Sequence, residues 1–280
     1  AGGRMKPAHT FASELVRKVT QTETFNGMQP SQVLLSIIEN PRLWFEVPVI
    51  YLEKQNKEIR EFIGIDEDAA YASLSDFIVP SSGEYKIREK VAEAQKKKVQ
   101  NKFEKDLIKI DRRIGLLYSA IGGGILKIYP IPNDDNNKWV SRPEGDQANF
   151  KGTDSVFVKQ SLPVYIQFLQ DAKKTNDYTE ANKILDGIKK FQKKFGADVY
   201  PSERKIDLEI SYNKILPFQR LAKYYGFVSL FLIVFVIWQI FTSKKWINTV
   251  VKVLIAIVVG LFIFHTLGLI SRWYISGNAP

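Results

Sequence analysis

Two apolar stretches near the end of the chain restrict what it can fold into more than any other feature. The first, Tyr225–Phe241, reads YGFVSLFLIVFVIWQIF, and the second, Ile247–Ile270, reads INTVVKVLIAIVVGLFIFHTLGLI. Each is close to the ~20 apolar residues that carry a helix across the hydrocarbon of a bilayer. A helix satisfies its own backbone polar groups there, which an open strand or loop does not. A buried core helix is the other reading, but the second stretch holds one charge, Lys252, and only TSKKW separates the two. The pair reads as a membrane hairpin.

About 220 residues precede the hairpin, enough for one sizeable core or two small ones. The opening AGGRMKPAHTFASEL is polar and lacks the apolar core of a signal peptide. Ala1 is not a methionine, so the chain reads as a processed or cut piece of a longer protein. The chain has no cysteine, which excludes disulfides, thiolate metal sites and cysteine nucleophiles. Net charge is +10, and after Gly226 the charged residues are Lys244, Lys245, Lys252 and Arg272, leaving +6 for the polar part. There lysine and glutamate interleave, as in IREKVAEAQKKKVQNKFEKD, the pattern of a solvated helix face. A nucleic-acid surface would need basic residues with aromatic platforms and few acids, so nucleic acid is not expected as a partner.

Hydrophobic spacing divides the polar part into short elements, with no internal repeat. Thr10–Lys18 and Pro30–Asn40 read as helices, the latter with proline in its first turn and Pro41 as its stop. Val47–Tyr51 and Glu58–Ile63 lean towards strands that pair through the turn near Lys54–Lys57, and Asp68–Asp76 suggests a short helix. Glu84–Ala120 is the longest periodic segment, charged at first and then apolar at Phe103, Leu107, Ile110, Ile114 and Leu117. Gly122-Gly123-Gly124 ends it. This run lacks a Walker lysine and the GxGxxG order, so it reads as a turn rather than a phosphate loop. Ile125–Ile131 reads as a strand and Asn133–Asn149 as a loop holding Trp139. Ser155–Ala172, Thr179–Phe195 and Ser202–Leu216 read as three helices, with Gly196 a C-cap and Pro217 a break before the membrane. The expected fold class is mainly α with minor β: a helical extracytoplasmic domain followed by a two-helix transmembrane hairpin.

The short loop between the spans carries Lys244 and Lys245, and lysine-rich short loops stay cytoplasmic. The expected division is an extracytoplasmic, periplasmic domain over 1–223, spans over 224–241 and 247–270, a cytoplasmic loop over 242–246 and an extracytoplasmic tail over 271–280.

Chemistry-bearing residues are few. His265 lies near the outer end of the second span, where an imidazole is costly without a partner, a cavity or a ligand. Two readings stay open for it: a haem-iron ligand, its nitrogen being suited to that metal, or a histidine bonded to a neighbouring helix or to Thr266. Arg272, Trp273 and Tyr274 sit where interfacial anchors belong. Arg272 and Trp273 also suit a second role, a guanidinium for propionate carboxylates beside an aromatic wall. His9 has no second histidine nearby, which favours a capping or surface role. No Ser/His/Asp set is visible, and the pairs Asp66/Asp68 and Asp134/Asp135 read as solvated loop.

Three blocks, in order along the chain, carry a family resemblance. They are GRMKPAHTFASELVRKV at the start, DYTEANKILDGIKKFQKKFGADVYPSERKIDLEISYNKILPF before the hairpin, and FHTLGLISRWYISGNAP at the end. They resemble the central region of the cytochrome c biogenesis proteins that fuse ResB and CcsA parts. The resemblance implies a bacterial inner-membrane protein that exports haem and joins it to apocytochrome c on the periplasmic side. It further implies that ResB helices precede Ala1 and that a tryptophan-rich haem-handling segment follows Pro280. The chain alone would then not be catalytic. Its partners would be haem (b-type, in transit), apocytochrome c, the remaining ResB/CcsA segments and membrane lipid. Its cofactor-binding candidates are His265, Arg272 and Trp273, with His265 as the iron ligand. The rival expectation is a non-enzymatic, membrane-anchored periplasmic assembly or sensing protein.

Overall fold

The computed structural model describes residues 5–215, 217–242 and 244–277. Among them are eleven α-helices and two minimal antiparallel ladders, the mainly-α fold with minor β expected from the spacing. Residues Phe11–Tyr200 form one compact unit, and the described residues of Ala1–Thr10 and Pro201–Pro280 form another.

The larger unit holds two cores. The first gathers α1 (Ala8–Thr20, from Phe11 on), α2 (Pro30–Glu39), α3 (Pro41–Glu46), α4 (Lys57–Ile63), α5 (Arg88–Lys96) and α6 (Lys102–Ile121) around β1 (Ile50–Tyr51) and β2 (Tyr71–Ala72). Helix α6 presents Leu107, Ile110, Ile114 and Leu117 to this core, the i, i+3, i+4 stripe visible in the sequence. The second core joins β3 (Tyr129–Pro130) and β4 (Trp139–Val140) to α7 (Gly152–Thr175) and α8 (Thr179–Phe195) through Tyr129, Val140, Val158 and Phe191. Phe191 meets the rings of Phe157, Phe195, Tyr129 and Phe150 at 4.9 to 6.2 Å, within the range of favourable ring pairs.

Four local expectations change. The segment Glu84–Ala120 is two helices, because Asn101 caps the second: its Oδ1 accepts from the Glu104 N–H at 2.9 Å, and a Glu104 carboxylate oxygen accepts from the Asn101 N–H at 2.9 Å. Glu58–Ile63 is helical rather than a strand, since Ile59 and Ile63, one turn apart, both enter the core. The partner of Ile50–Tyr51 is therefore Tyr71–Ala72. Asp68–Asp76 is not a helix: it contains β2 and a 3-10 turn at Ser75–Phe77, with the Asp76 carboxylate accepting from the Ser73 N–H at 2.7 Å. The strand within Ile125–Ile131 shrinks to two residues, paired with a buried Trp139 strand inside the expected loop.

One buried cation organises the β1–α4–β2 region. Arg60 is 2% exposed, and its guanidinium donates to the carbonyls of Ala69 (2.7 Å), Asn56 (2.8 Å) and Glu53 (3.1 Å). With a fourth, longer contact to Leu52 O at 3.4 Å, these bonds close the chain around the guanidinium and pair its charge with main-chain carbonyls.

The smaller unit contains α9 (Glu203–Ile215), α10 (Pro217–Phe241) and α11 (Lys245–Ser276). Pro217 opens α10 rather than only ending α9, as proline does at a first helical turn. Leu216, the expected end of α9, lies outside the described residues. So do the first residues of the opening motif, Ser243 of the inter-span loop and the final three residues.

Candidate functional site at the hairpin seam

Helices α10 and α11 meet along a seam with alternating three- and four-residue spacing. On α11 the residues withdrawn from the surface include Ile247, Val251, Leu254, Val258, Leu261, His265, Gly268 and Ile275. On α10 they are Phe218, Leu221, Tyr225, Val228, Leu232 and Phe235. This is the spacing that keeps one face of a helix on its partner, as in a coiled coil. Towards the middle of both helices most of the remaining side chains are apolar and exposed, including Phe227, Ile233, Ile237, Val253, Ile257 and Phe262. Both helices are long and apolar enough to cross a membrane.

The ends of α11 fit a bilayer as well as its length does. Trp246 and Trp273 are 27 residues apart, about 40 Å of helix rise, which matches hydrocarbon plus headgroup layers. At the loop end, Trp246 packs edge-on to Trp238 at 5.4 Å and to Phe235 at 6.2 Å. Gln239 Nε2 donates to Asn248 Oδ1 at 2.8 Å, tying the two helices beside the loop.

His265 is the polar member of the seam. It lies edge-on to Phe218 at 5.3 Å and tilted against Tyr225 at 6.2 Å. Among the described residues no hydrogen bond to His265 is seen, while the Thr266 hydroxyl donates to its own helix at Phe262 O, 2.9 Å away. Arg272 follows two turns later, about 10 Å along the axis and nearly in line with His265. Its charge reaches Tyr212 of α9. Burial raises the Tyr212 phenol above its usual range, and the Arg272 cation opposes part of that rise. Tyr212 in turn meets Phe218 edge-on at 6.3 Å. Tyr212, Phe218, His265 and Tyr225 thus form an aromatic wall with Arg272 at its end. Trp273 stands roughly 80° round the helix from His265 and is half exposed, so His265 and Arg272 share a face that Trp273 leaves.

The sequence reading missed Phe218, Tyr225 and Tyr212. The signal was present in the 3-4 spacing of small or apolar residues through Val258, Leu261, His265 and Gly268, which places the imidazole between helices rather than towards lipid. Among the described residues no three His, Cys, Asp or Glu side chains cluster in a metal-binding group. A metal held by these residues would therefore have His265 as a single protein nitrogen, not a protein-built cage.

The fold and this seam define a class: a helical domain attached to a two-helix apolar hairpin with a histidine between the helices. No protein-family profile matches the chain. The chain is 30% identical over 281 aligned residues to Protein NrfI of Wolinella succinogenes, an alignment that takes in 99% of this chain. It spans 30% of the length of that protein.

Proposed function

We propose that this chain is a membrane-anchored part of a cytochrome c maturation machine, acting in haem delivery to apocytochrome c. The observation that carries the reading is similarity to NrfI over nearly the entire chain, together with the three blocks that resemble cytochrome c biogenesis proteins. The division into a periplasmic domain, two spans and a cytoplasmic loop is part of the proposal, supported by Lys244 and Lys245 in the loop.

At the seam, His265 would offer a neutral imidazole nitrogen to the iron of haem in transit, with the rings of Phe218 and Tyr225 excluding water around it. Arg272 would meet a propionate carboxylate two turns away, and Trp273 would flank the same end from the adjoining helix face. Haem supplies the vinyl groups and the substrate protein the thiols for thioether formation; this chain's residues bind, orient and exclude water. An unpartnered imidazole in an apolar helix is costly, which favours a ligand role over simple packing.

Haem titration of the purified protein tests this. The proposal expects a Soret band that His265→Ala abolishes and Arg272→Gln weakens by roughly tenfold, the scale of one charge-assisted hydrogen bond. A band unchanged in His265→Ala would refute the ligand assignment, and no band at all would leave the tethered assembly protein as the reading.

A further inference from the structure

Beside the stripe it turns into the first core, helix α6 carries a polar-lined face bordered by Leu116 and Ile125, which are half-buried against that core. Lys109, Arg112, Arg113, Gly115, Leu116 and Ser119 follow one another on it, and with Lys18, Gln21, Glu53 and Ile125 they line an open cleft of about 830 Å³. Four cations stand there against one lining carboxylate. Two are neutralised: Arg113, 6% exposed, donates to Glu53 Oε1 at 2.9 Å and to Tyr51 O at 2.8 Å, and Lys109 donates to Asp106 Oδ1 at 3.0 Å. Lys18 and Arg112 form no ion pair among the described residues, so the cleft keeps an excess of positive charge beside the apolar side chains of Leu116 and Ile125.

Gly115 is the second observation. It sits in the interior of a 20-residue helix, where glycine is a poorer helix former than alanine. No packing explains it: a Cβ there would meet nothing within 4 Å. Its effect is to leave the wall of the cleft open at its middle, between Arg112 and Ser119. The pocket's size falls within the range of small-molecule sites, whose usual make-up is an apolar wall with a few placed polar groups.

We infer that this cleft binds a small amphipathic dicarboxylate, with Arg112 and Lys18 meeting its carboxylates and Leu116 and Ile125 its apolar body. Arg113 is a positioning residue that holds Glu53 and the β1 end in place. The inference is independent of the hairpin reading, since none of these residues lies in the smaller unit.

The test uses the full chain in nanodiscs and naphthalene-2,6-dicarboxylate as probe, with binding read by fluorescence anisotropy. The dicarboxylate binds, its dimethyl ester does not, and rising ionic strength weakens the affinity. Lys18→Gln combined with Arg112→Gln lowers affinity by about tenfold or more, the scale of charge-assisted hydrogen bonds to a carboxylate. Gly115→Leu blocks binding while Gly115→Ala raises the melting temperature, and Lys105→Gln, exposed on α6 outside the cleft, changes nothing. No binding, equal binding of the ester, or binding untouched by Gly115→Leu and by the double variant would each overturn the inference. His265→Ala leaves this binding intact, so failure here and failure of haem binding at the seam are separable.

Discussion

Helices α6 and α11 solve the same problem in opposite solvents. Helix α6 turns Leu107, Ile110, Ile114 and Leu117 inward and carries Lys105, Lys109 and Arg112 on its exposed face. Helix α11 sets Gly268, His265 and Val251 among larger apolar side chains such as Leu254 and Leu261 on its seam and turns Ile255, Ile257, Phe262 and Ile263 outward. In water, burying apolar surface drives helices together. In lipid that drive is absent between helices, so close packing and polar contacts decide which faces meet. A polar residue at a helix contact therefore means different things in the two units. In the domain Arg113 is bound to a carboxylate and a carbonyl at once, whereas on the seam His265 meets rings.

The contrast breaks most severely where one unit is made to obey the other's rule. Phe77 is 0% exposed in the first core, and Phe77→Ala should cost about 3–5 kcal/mol, read as a large fall in the domain's melting temperature. Ile257 is exposed on α11, so Ile257→Arg should scarcely change a water-soluble helix but should cost about 3 kcal/mol at the centre of a span. Carbonate extraction should then release the Ile257→Arg protein, while Val99→Arg, 88% exposed in the domain, should stay membrane-bound and melt normally. A smaller effect is expected at Gly196, where a Cβ would stand 2.4 Å from Trp139 Cζ2 and 3.0 Å from Gln192 O. Gly196→Ala should destabilise the second core by about 1–3 kcal/mol, seen by thermal unfolding.

The smallest effect is electrostatic. Lys173 of α7 donates to Glu39 of α2 at 3.0 Å and Gln170 adds a second hydrogen bond at 3.1 Å, holding the Glu39 carboxyl below its usual range. A carboxyl lowered on folding adds stability above its unfolded pKa and loses it as pH falls through the lower folded value. Glu39→Gln should thus lower stability by less than about 1 kcal/mol at neutral pH, because Lys173 is largely solvated, and the difference should vanish in acid.

What the sequence disclosed follows the same division. The spans, the three helices before them and the inward stripe of α6 were legible, since each is a long periodic pattern with one burial rule. The short elements were not. Asn101-x-x-Glu104 is a helix-start signature inside what otherwise reads as one charged helix, and it outweighs the continuous periodicity on either side. Ile59 and Ile63 fit either a strand or one helical turn until tertiary burial chooses. Arg60 gave no local sign of being buried, because its partners are main-chain carbonyls that no side-chain pattern encodes. At the candidate site, His265 and Arg272 stood out by polarity alone. Phe218, Tyr225 and Tyr212 are ordinary aromatics until the seam brings them to the imidazole.

The most direct test uses the absence of cysteine in the chain, which makes single introduced thiols unambiguous reporters. Lys97→Cys in the domain and Thr242→Cys in the inter-span loop are exposed in intact spheroplasts to a maleimide that does not cross membranes. The account predicts labelling of Lys97→Cys at once and of Thr242→Cys only after the membrane is opened. Labelling of both before opening, or of Thr242→Cys alone, would contradict a lipid-embedded hairpin that displays the domain on the periplasmic side.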